Sequence, residues 1–526
     1  SFPCGIGTVI IHRSTIVLIP ASKPFILPEP APMTIQPARC LFVVMPVLLL
    51  AASQALAAIH PPCQATDHAA KKQCQAVLST LLPAVVFEGE DSQRTLAERM
   101  RHYRVPGVNM AVIDQGHVHW RAAYGQRKRD GAAVTPLTVF QAASISKPVV
   151  ATLALVLAQA GELDLDSPVN PQLRSWQLPA TDKFQPAAVT LRGLLSHSAG
   201  VNVHGFPGYT ADAALPTARQ ILGGKAPANS PPIRLLSEPG TAYRYSGGGY
   251  QIVQLLIEDA TGKPFTAVAQ KRLLQPLGMQ HSSYSAELPG RLADNVAAGH
   301  GRDGQAIVGG WHRYPELAAA GLWSTPGDLA RYLVAVMNFG KGSVDTPITQ
   351  HIAQLMRTPV VGDMGPGLGV HGEGRDRLID QAGENAGYRT YLAAYPGRGQ
   401  GVVIMTNGDG GKDLIREICR SLALAWGWPD FKTRRVTPAS LDSAVLDQRS
   451  GDYRMREYGF VLTLERKGKA LVATTARGSS YTFLPLSAWK FVAQEDGAEL
   501  HFDPDKPDQI QLWGTHGQRQ QSDKTR

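Results

Sequence analysis

Hydrophobic and polar positions follow different periods along the chain, and the changes divide it into regions. Between residues 86 and 430, strand-like patterns lie at the two ends and helical spacing dominates the middle. Strands are predicted at 108–113 and 117–124, and again at 389–395 and 401–406. One antiparallel sheet drawn from both ends of this region, with helices on its faces, satisfies the pattern. The sequence therefore predicts an α+β domain over residues 86–430.

The most apolar helix of this domain is predicted within residues 141–161. After its first turn it is apolar on all sides, which is typical of a helix buried in a core. Ser144 and Lys147 are three residues apart, so a helix places them on one face, about one turn from each other. A hydroxyl and an amine in that arrangement form a nucleophile and its base. The Ser487–Lys490 pair repeats the spacing but opens no apolar helix, and we interpret it as a chance copy.

Helical spacing of apolar positions predicts further helices at 91–103, 250–261, 326–337 and 413–426. The third has the clearest start, because Thr325 offers an N-cap side chain with proline and aspartate in the next turn. A glycine- and proline-rich stretch from 201 to 240 is interpreted as an ordered loop region or small helical insert beside the Ser144 helix.

Beyond residue 451 the hydrophobic pattern changes to alternation, which predicts strands at 460–465, 470–474, 481–486, 490–493, 500–502 and 509–512. Residues 451–526 are therefore predicted to form a small all-β accessory domain, a β-meander or barrel, after a linker over 431–450. The accessory domain shows no catalytic cluster, and the polar residues from Gly517 onward are expected to fray.

The N-terminal region has the pattern of an exported protein. Residues 1–32 are proline-rich and irregular, and we expect them to be non-structural upstream sequence. Residues 33–57 have the charge, apolar core and small-residue cleavage site of a secretory signal peptide. The core is too short for a stable membrane anchor. We expect a secreted or periplasmic protein that begins at Ala58, with residues 58–85 as an N-terminal segment.

Cysteine positions agree with export. Cleavage would leave Cys63, Cys74 and Cys419. The first two lie close together in an exported segment, which allows a small disulfide, although two free thiols are the alternative. Cys419 lies on an apolar helix face and is expected to be a buried, inert thiol.

Charge and histidine spacing argue against several kinds of partner. The 526-residue chain has a net charge of +9, but it shows no basic stripe with interleaved aromatic residues, so nucleic acid is not an expected partner. His117 and His119 share one face of a predicted strand, yet no third ligand follows at a metallohydrolase spacing. We therefore expect solvent-facing histidines and predict neither a metal nor another cofactor.

A second motif places Tyr245 just before a glycine-rich helix entry, where a phenol can shuttle a proton. Tyr-Ser-Gly is common by itself, but here it follows the Ser144–Lys147 pair. Together with residues 194–200 and 321–330, these motifs resemble the serine hydrolase family of class C β-lactamases, D-Ala-D-Ala carboxypeptidases and related esterases. The resemblance covers roughly residues 96–428 and implies a β-lactamase/transpeptidase-like fold.

The resemblance also implies a role for each matching residue. Ser144 would be the acylated nucleophile, Lys147 its activating partner and Tyr245 the general base or proton shuttle. The family's third motif, Lys-Thr-Gly or His-x-Gly on a strand beside the site, has its counterpart in residues 381–383. The backbone N–H groups of Ser144 and Glu384 would form the oxyanion hole.

Two positions depart from the family pattern. Gly247 stands where asparagine is usual, which is expected to weaken an amide contact to substrate more than catalysis. Gln381, which precedes Ala382 and Gly383, stands where lysine or histidine is usual, so the site loses a cation. Arg389, on the strand that follows, is a candidate for meeting a substrate carboxylate instead.

Three functional hypotheses remain open at this point. The favoured one is an exported esterase, amidase or peptidase that forms an acyl-enzyme on Ser144 and acts on small ester, amide or peptide substrates. The alternatives are a true class C-type β-lactamase or D-Ala-D-Ala carboxypeptidase, and a non-catalytic relative that binds peptidoglycan-type ligands. An α/β-hydrolase is disfavoured because no serine stands in a Gly-x-Ser-x-Gly elbow.

Overall fold

The computed structural model of the protein describes residues 63–89, 91–128, 131–338, 346–456, 459–475 and 480–520. The predicted upstream sequence, signal peptide and cleavage site all precede residue 63 and lie outside the described residues.

An open seven-stranded sheet forms the centre of the first domain. The strands before residue 437 are β1 (Cys63–Ala65), β2 (Val85–Phe87), β3 (Gly107–Asp114), β4 (His117–Gly125), β5 (Phe140–Gln141), β6 (Ser283–Tyr284), β7 (Leu322–Ser324), β8 (Gly369–His371), β9 (Leu378–Asn385), β10 (Tyr388–Tyr395), β11 (Gln400–Thr406) and β12 (Arg434–Val436). The sheet order is β1-β4-β3-β11-β10-β9-β8, with every neighbouring pair antiparallel. Because β3 pairs with β11, both ends of the domain contribute to one sheet, which confirms the predicted α+β class.

Most helices of the chain pack on the two faces of this sheet, and the last one packs on the C-terminal strands. The helices are α1 (His68–Ser79), α2 (Leu96–Tyr103), α3 (Ser146–Gln159), α4 (Leu191–Leu195), α5 (Ala218–Gly223), α6 (Gly247–Thr261), α7 (Phe265–Ala269), α8 (Gly290–Ala293), α9 (Leu317–Ala320), α10 (Pro326–Met337), α11 (Gln350–Met356), α12 (Gly411–Trp426) and α13 (Ser443–Arg449). The helix predicted at 91–103 begins later, because Thr95 and Glu98 form a capping box immediately before Leu96. Thr325 caps α10 as predicted, and its side chain accepts a hydrogen bond from the Asp328 N–H.

Alternating side chains of the sheet belong to two separate hydrophobic cores. On β3, Ala111 and Ile113 belong to the larger core, whereas Met110 and Val112 belong to the smaller one. This division follows from the two-residue period of a strand. The larger core surrounds α3, and the smaller one is covered by α1, α2 and α12. The apolar helix α3 is therefore buried, as its sequence predicts.

Two segments that the sequence suggested were peripheral have structured contacts. The predicted N-terminal segment over 58–85 contributes β1, which pairs with β4, and α1, which packs in the smaller core. The Cys63–Cys74 disulfide joins these two elements. The predicted linker over 431–450 contains β12, which pairs with β2, and α13. Both segments are thus parts of folded units. Their short strands pair with strands far away in the sequence, so neighbouring residues alone do not indicate them.

The C-terminal region forms a closed eight-stranded barrel. Its strands are β13 (Gly451–Met455), β14 (Val461–Lys467), β15 (Ala470–Thr475), β16 (Ser480–Pro485), β17 (Lys490–Ala493), β18 (Glu499–Phe502), β19 (Gln509–Leu512) and β20 (Thr515–Arg519). The expectation of fraying from Gly517 onward is wrong for residues 517–519, because they belong to β20, which pairs with both β19 and β13 and closes the barrel. Residues 521–526 lie outside the described residues. A side chain on Gly517 would collide with Ile510 and Met455.

The barrel packs against the first domain through an apolar contact. Val85 and Phe87 of β2 cluster with Leu484 and Val492 of the barrel. The Val85 N–H also donates to the Gln494 carbonyl at 3.1 Å. β2 therefore joins the two domains, with its backbone paired to β12 and its side chains covered by the barrel.

Candidate active site

Ser144 lies in a single 3-10 turn, Ala143–Ile145, that leads directly into α3. Ser144 is partly exposed although its neighbours on both sides are buried. Ser146 stabilises the turn, since its Oγ donates to the Ala143 carbonyl at 2.6 Å and accepts from the Leu322 N–H at 3.0 Å. The hydroxyl of Ser144 is thus presented to a cleft from a rigid, buried support.

Lys147 reaches the Ser144 hydroxyl as the helical spacing predicts. Its Nζ donates to Ser144 Oγ at 2.9 Å and to the Ala319 carbonyl at 2.8 Å. The residue is 2% exposed, and its long stem is held by the core around α3. The carbonyl at the end of α9 therefore fixes the amine at the distance that direct proton transfer requires.

Tyr245 brings a phenol to the same place from the segment that precedes α6. The ring is half-buried, and the Lys147 Nζ lies 5.0 Å from the ring centroid. Ser246 caps α6 by accepting from the Gly249 N–H at 2.9 Å, so the helix begins directly after the tyrosine. The structure thus brings together the three residues whose roles the family resemblance implies.

The third motif lies on β9, next to the turn that carries Ser144. β8 pairs with β9 only as far as Asp380, so this edge of β9 has no strand partner in the described structure from Gln381 onward. The Gln381 Nε2 donates to the Ala382 carbonyl at 2.9 Å and approaches the Tyr245 hydroxyl at 3.5 Å, the outer limit of a hydrogen bond. The motif therefore reaches the tyrosine with a neutral amide.

Close packing explains the glycine of this motif. A Cβ on Gly383 would lie 2.2 Å from Thr390 Oγ1 and 2.5 Å from the Ala142 carbonyl oxygen. Only a residue without a side chain lets β9 approach the turn that carries Ser144 this closely. Glu384 follows with an exposed side chain, 3.7 Å from Arg389 and 3.8 Å from Lys412. The oxyanion-hole role predicted for Glu384 uses only its backbone N–H and not this side chain.

The remaining predicted residues have different surroundings from those expected. Arg389 is engaged by Asp409 at 2.9 Å and by the carbonyls of Asn385 and Tyr388. Its positive charge is already paired, so the idea that it replaces the missing cation is not supported. At Gly247, a Cβ would lie 3.1 Å from the Phe206 ring. Phe206 thus occupies the space beside the position where the family has asparagine.

Two residues near the site carry contacts that the sequence reasoning missed. Asn385 donates to Gln141 Oε1 at 2.7 Å and to the Ala320 carbonyl at 3.2 Å, which ties β9 to the strand leading into the nucleophile turn. His197 is buried against Tyr245. Its motif, residues 194–200, contributed to the resemblance but gave no signal of this contact.

The described residues contain no group of three or more histidines, cysteines or acids arranged to hold a metal ion. His117 is exposed and His119 is half-exposed on β4. Cys419 is a free, buried thiol, and burial raises its pKa to about 12. Among the helices described, none is long and apolar enough to cross a membrane.

Comparison with known proteins agrees with this geometry. The profile of the family described as Beta-lactamase matches residues 93–421, which is more than half of the chain. The chain belongs to the Beta-lactamase family. Members of this family are serine hydrolases, and the chain is therefore a serine hydrolase of that family.

Similar proteins in the Beta-lactamase family are named for different activities. Penicillin-binding protein 4 of Amycolatopsis lactamdurans is 29% identical over 67% of this chain and 95% of its own length. The D-alanyl-D-alanine-carboxypeptidase/endopeptidase AmpH of Escherichia coli K12 is 24% identical over 59% of this chain and 84% of its own. Esterase EstB of Burkholderia gladioli is 29% identical, but the match spans only 37% of this chain and 51% of EstB.

Solved structures share the fold. The octameric penicillin-binding protein homologue from Pyrococcus abyssi aligns over 80% of this chain and 98% of its own with a TM-score of 0.56 and 22% identity. SurE aligns over 81% of this chain and 97% of its own with a TM-score of 0.51 and 24% identity. These likenesses confirm the β-lactamase/transpeptidase-like fold that the sequence predicts.

Proposed function

We propose that the protein is an exported serine hydrolase that forms an acyl-enzyme on Ser144 and cleaves small ester or amide substrates. The 2.9 Å contact between Lys147 Nζ and Ser144 Oγ carries this proposal. It places a base within direct reach of the nucleophile's proton, and the Tyr245 ring lies 5.0 Å from the same amine.

The reaction has two balanced halves. Ser144 Oγ attacks the carbonyl carbon while Lys147 takes its proton, and the backbone N–H groups of Ser144 and Glu384 stabilise the oxyanion. Collapse of this intermediate breaks the bond to the leaving group, which receives a proton through Tyr245. Water then attacks the acyl ester, gives its proton to the same base system and releases the acid together with free Ser144.

Labelling with a fluorophosphonate tests the acyl-enzyme directly. Wild type is expected to be labelled on Ser144, and Ser144→Ala is expected to lose all labelling while remaining folded, because one oxygen is removed. Lys147→Ala should lose nearly as much, since the two residues act as one unit. Ser487→Ala is a matched control, because it removes the exposed serine of the chance Ser-x-x-Lys pair. Labelling that survives in Ser144→Ala would refute the proposal.

Gln381 favours neutral substrates over β-lactams and carboxylate-bearing peptides. An amide donates a hydrogen bond but supplies no charge, and bonds to charged groups are worth about 1.5–3 kcal/mol against roughly 1 for neutral ones. The deficit of about 1–2 kcal/mol corresponds to a five- to thirtyfold loss for substrates with a carboxylate. The pairing of Arg389 with Asp409 leaves that deficit in place.

A D-Ala-D-Ala carboxypeptidase or β-lactamase is the second candidate, favoured by the similarity to penicillin-binding protein 4 and AmpH. Nitrocefin and a short neutral ester separate the two. We expect wild type to prefer the ester, and Gln381→Lys and Gln381→His to raise nitrocefin turnover relative to the ester. Efficient nitrocefin turnover by wild type, unchanged by either substitution, would favour the second candidate.

The Cys63–Cys74 disulfide supports export, because such bonds persist in oxidising compartments. We expect intact-mass analysis of the exported protein to show cleavage after Ala57 and no alkylatable thiol at either position. A mass that includes residues 33–57 would contradict this part of the proposal.

A further inference from the structure

His197 holds both residues that flank Tyr245. It follows the C-terminal end of α4 and is 2% exposed. Its main-chain carbonyl accepts from the Arg244 N–H at 2.7 Å, and its ring Nδ1 accepts from the Ser246 N–H at 3.1 Å. One residue thus fixes the backbone immediately before and immediately after the tyrosine.

The same side chain also touches the phenol. The imidazole and Tyr245 rings lie 4.3 Å apart between centroids with a tilt of 31°. The ring therefore restricts the side-chain torsions of Tyr245 while its backbone bonds restrict the segment. The segment after the tyrosine is held separately, since Ser246 caps α6 and the Gly247 N–H donates to the His204 carbonyl at 3.1 Å.

We propose that His197 is the positioning residue that holds the Tyr245 phenol beside Ser144 and Lys147. The inference rests on the proposed function, in which Tyr245 delivers a proton. His197 touches no reacting atom in this scheme. It acts by keeping the phenol in one orientation before substrate arrives, which lowers the entropy cost of reaching the transition state.

The hydrogen bond also determines the protonation state of the imidazole. Because Nδ1 accepts from a backbone N–H, the ring proton is on Nε2 and the side chain is neutral. Burial, together with the nearby Lys147 and His204 side chains, holds the pKa of His197 well below its usual value. A second proton on Nδ1 would break the bond to Ser246. The contact is therefore maintained across the working pH range.

The backbone at His197 gives a way to isolate the side-chain role. Its φ is +59°, in the left-handed region that glycine and asparagine adopt most easily. The residue after it is also fixed, since the Ser198 N–H donates to the Gly193 carbonyl and the Gly240 N–H donates to the Ser198 carbonyl. His197→Gly and His197→Asn should both preserve this turn, but only asparagine offers an oxygen near the position of Nδ1.

The test compares these two variants with wild type on a neutral ester. His197→Gly is expected to lower kcat by about 10- to 100-fold with KM changed by less than about threefold. His197→Asn is expected to recover at least about fivefold of that loss by accepting from the Ser246 N–H. His204→Ala is the matched control, because its ring also lies 4.8 Å from Tyr245 but no side-chain bond to the flanking backbone is described; it should stay within about threefold of wild type.

Amide hydrogen exchange provides a readout that needs no activity. The peptide covering residues 240–247 should exchange at least about tenfold faster in His197→Gly and near the wild-type rate in His197→Asn. Absence of phosphonate labelling would overturn the proposed function, whereas the exchange comparison would still decide the positioning role. Equal exchange or equal kcat in the glycine and asparagine variants would overturn the inference, as would a glycine variant as active as wild type.

Discussion

Removing the barrel should destabilise the first domain without abolishing its fold. A chain that ends at Gln448 retains β12 and its pairing with β2 but loses the whole barrel. Val85 and Phe87 are each 1% exposed and cluster with barrel residues. Burial of such side chains is worth about 1.5–3 kcal/mol each. Their exposure should therefore cost about 3–6 kcal/mol, a large part of a typical folding stability of about 5–15 kcal/mol.

A double-mutant cycle assigns this loss to the apolar contact. Phe87→Ala should cost about 3–5 kcal/mol in the full chain, but below about 1.5 kcal/mol in the truncated chain, where the phenylalanine has already lost its barrel partners. Leu329→Ala is the control, because Leu329 is fully buried in the larger core and should cost the same in both chains.

Urea denaturation followed by tryptophan fluorescence measures each corner of the cycle, and ester hydrolysis reports whether the site survives. Truncation that leaves the free energy of unfolding within about 1 kcal/mol would refute the reasoning, as would an equal cost of Phe87→Ala in both chains. An intact site with a weakened fold would show that the barrel stabilises the first domain through β2.

Three further predictions follow from other contacts. Gly383→Ala should reduce phosphonate labelling about 100-fold by forcing β9 away from Ala142, whereas Gly290→Ala, with no atom within 4 Å of the added Cβ, should label normally. Glu417→Ala should cost about 3–5 kcal/mol in urea denaturation, because it leaves the partly buried Arg99 without the carboxylate it contacts at 2.7 Å. Burial raises the pKa of Glu316 from 4.5 to about 7 in the folded protein. The folded state therefore binds this proton more tightly than the unfolded chain, and the resulting stabilisation is fully present below pH 4.5 and is lost as the pH rises through 7. Glu316→Gln should remove about 3 kcal/mol of the decline in the free energy of unfolding that is measured over this pH range.

Local patterns were sufficient to predict the buried helix after Ser144 and the contact of Ser144 with Lys147. The apolar run after Ser144 determines burial, and a three-residue spacing on a helix determines the approach of Lys147, so both are readable from adjacent residues. The Thr325 cap is likewise a local signal. The barrel strands were predictable from alternation, apart from β13 and β20, whose pairing depends on each other across the whole barrel.

Contacts between distant segments were not readable in the same way. β1 pairs with β4 and β12 with β2, and each is three residues long, so neither carries enough alternation to predict a strand. Arg389 was a reasonable candidate for a substrate carboxylate from its place in the chain, but Asp409, which neutralises it, comes from a loop after the next strand. The contact of His197 with Tyr245 joins residues that are separated by a long insert.

The closure of the barrel by β20 imposes an order on biosynthesis. β13 emerges from the ribosome early, but one of its edges has no partner until residues 515–519 have been made. Contacts that span so much sequence form slowly. During that interval the chain presents an open strand edge, a feature that recruits other chains. The nascent protein is thus most vulnerable to aggregation just before its last strand is complete. A fusion partner placed directly after Arg519 would slow the pairing of β20 with β13 and β19, and therefore the closure of the barrel.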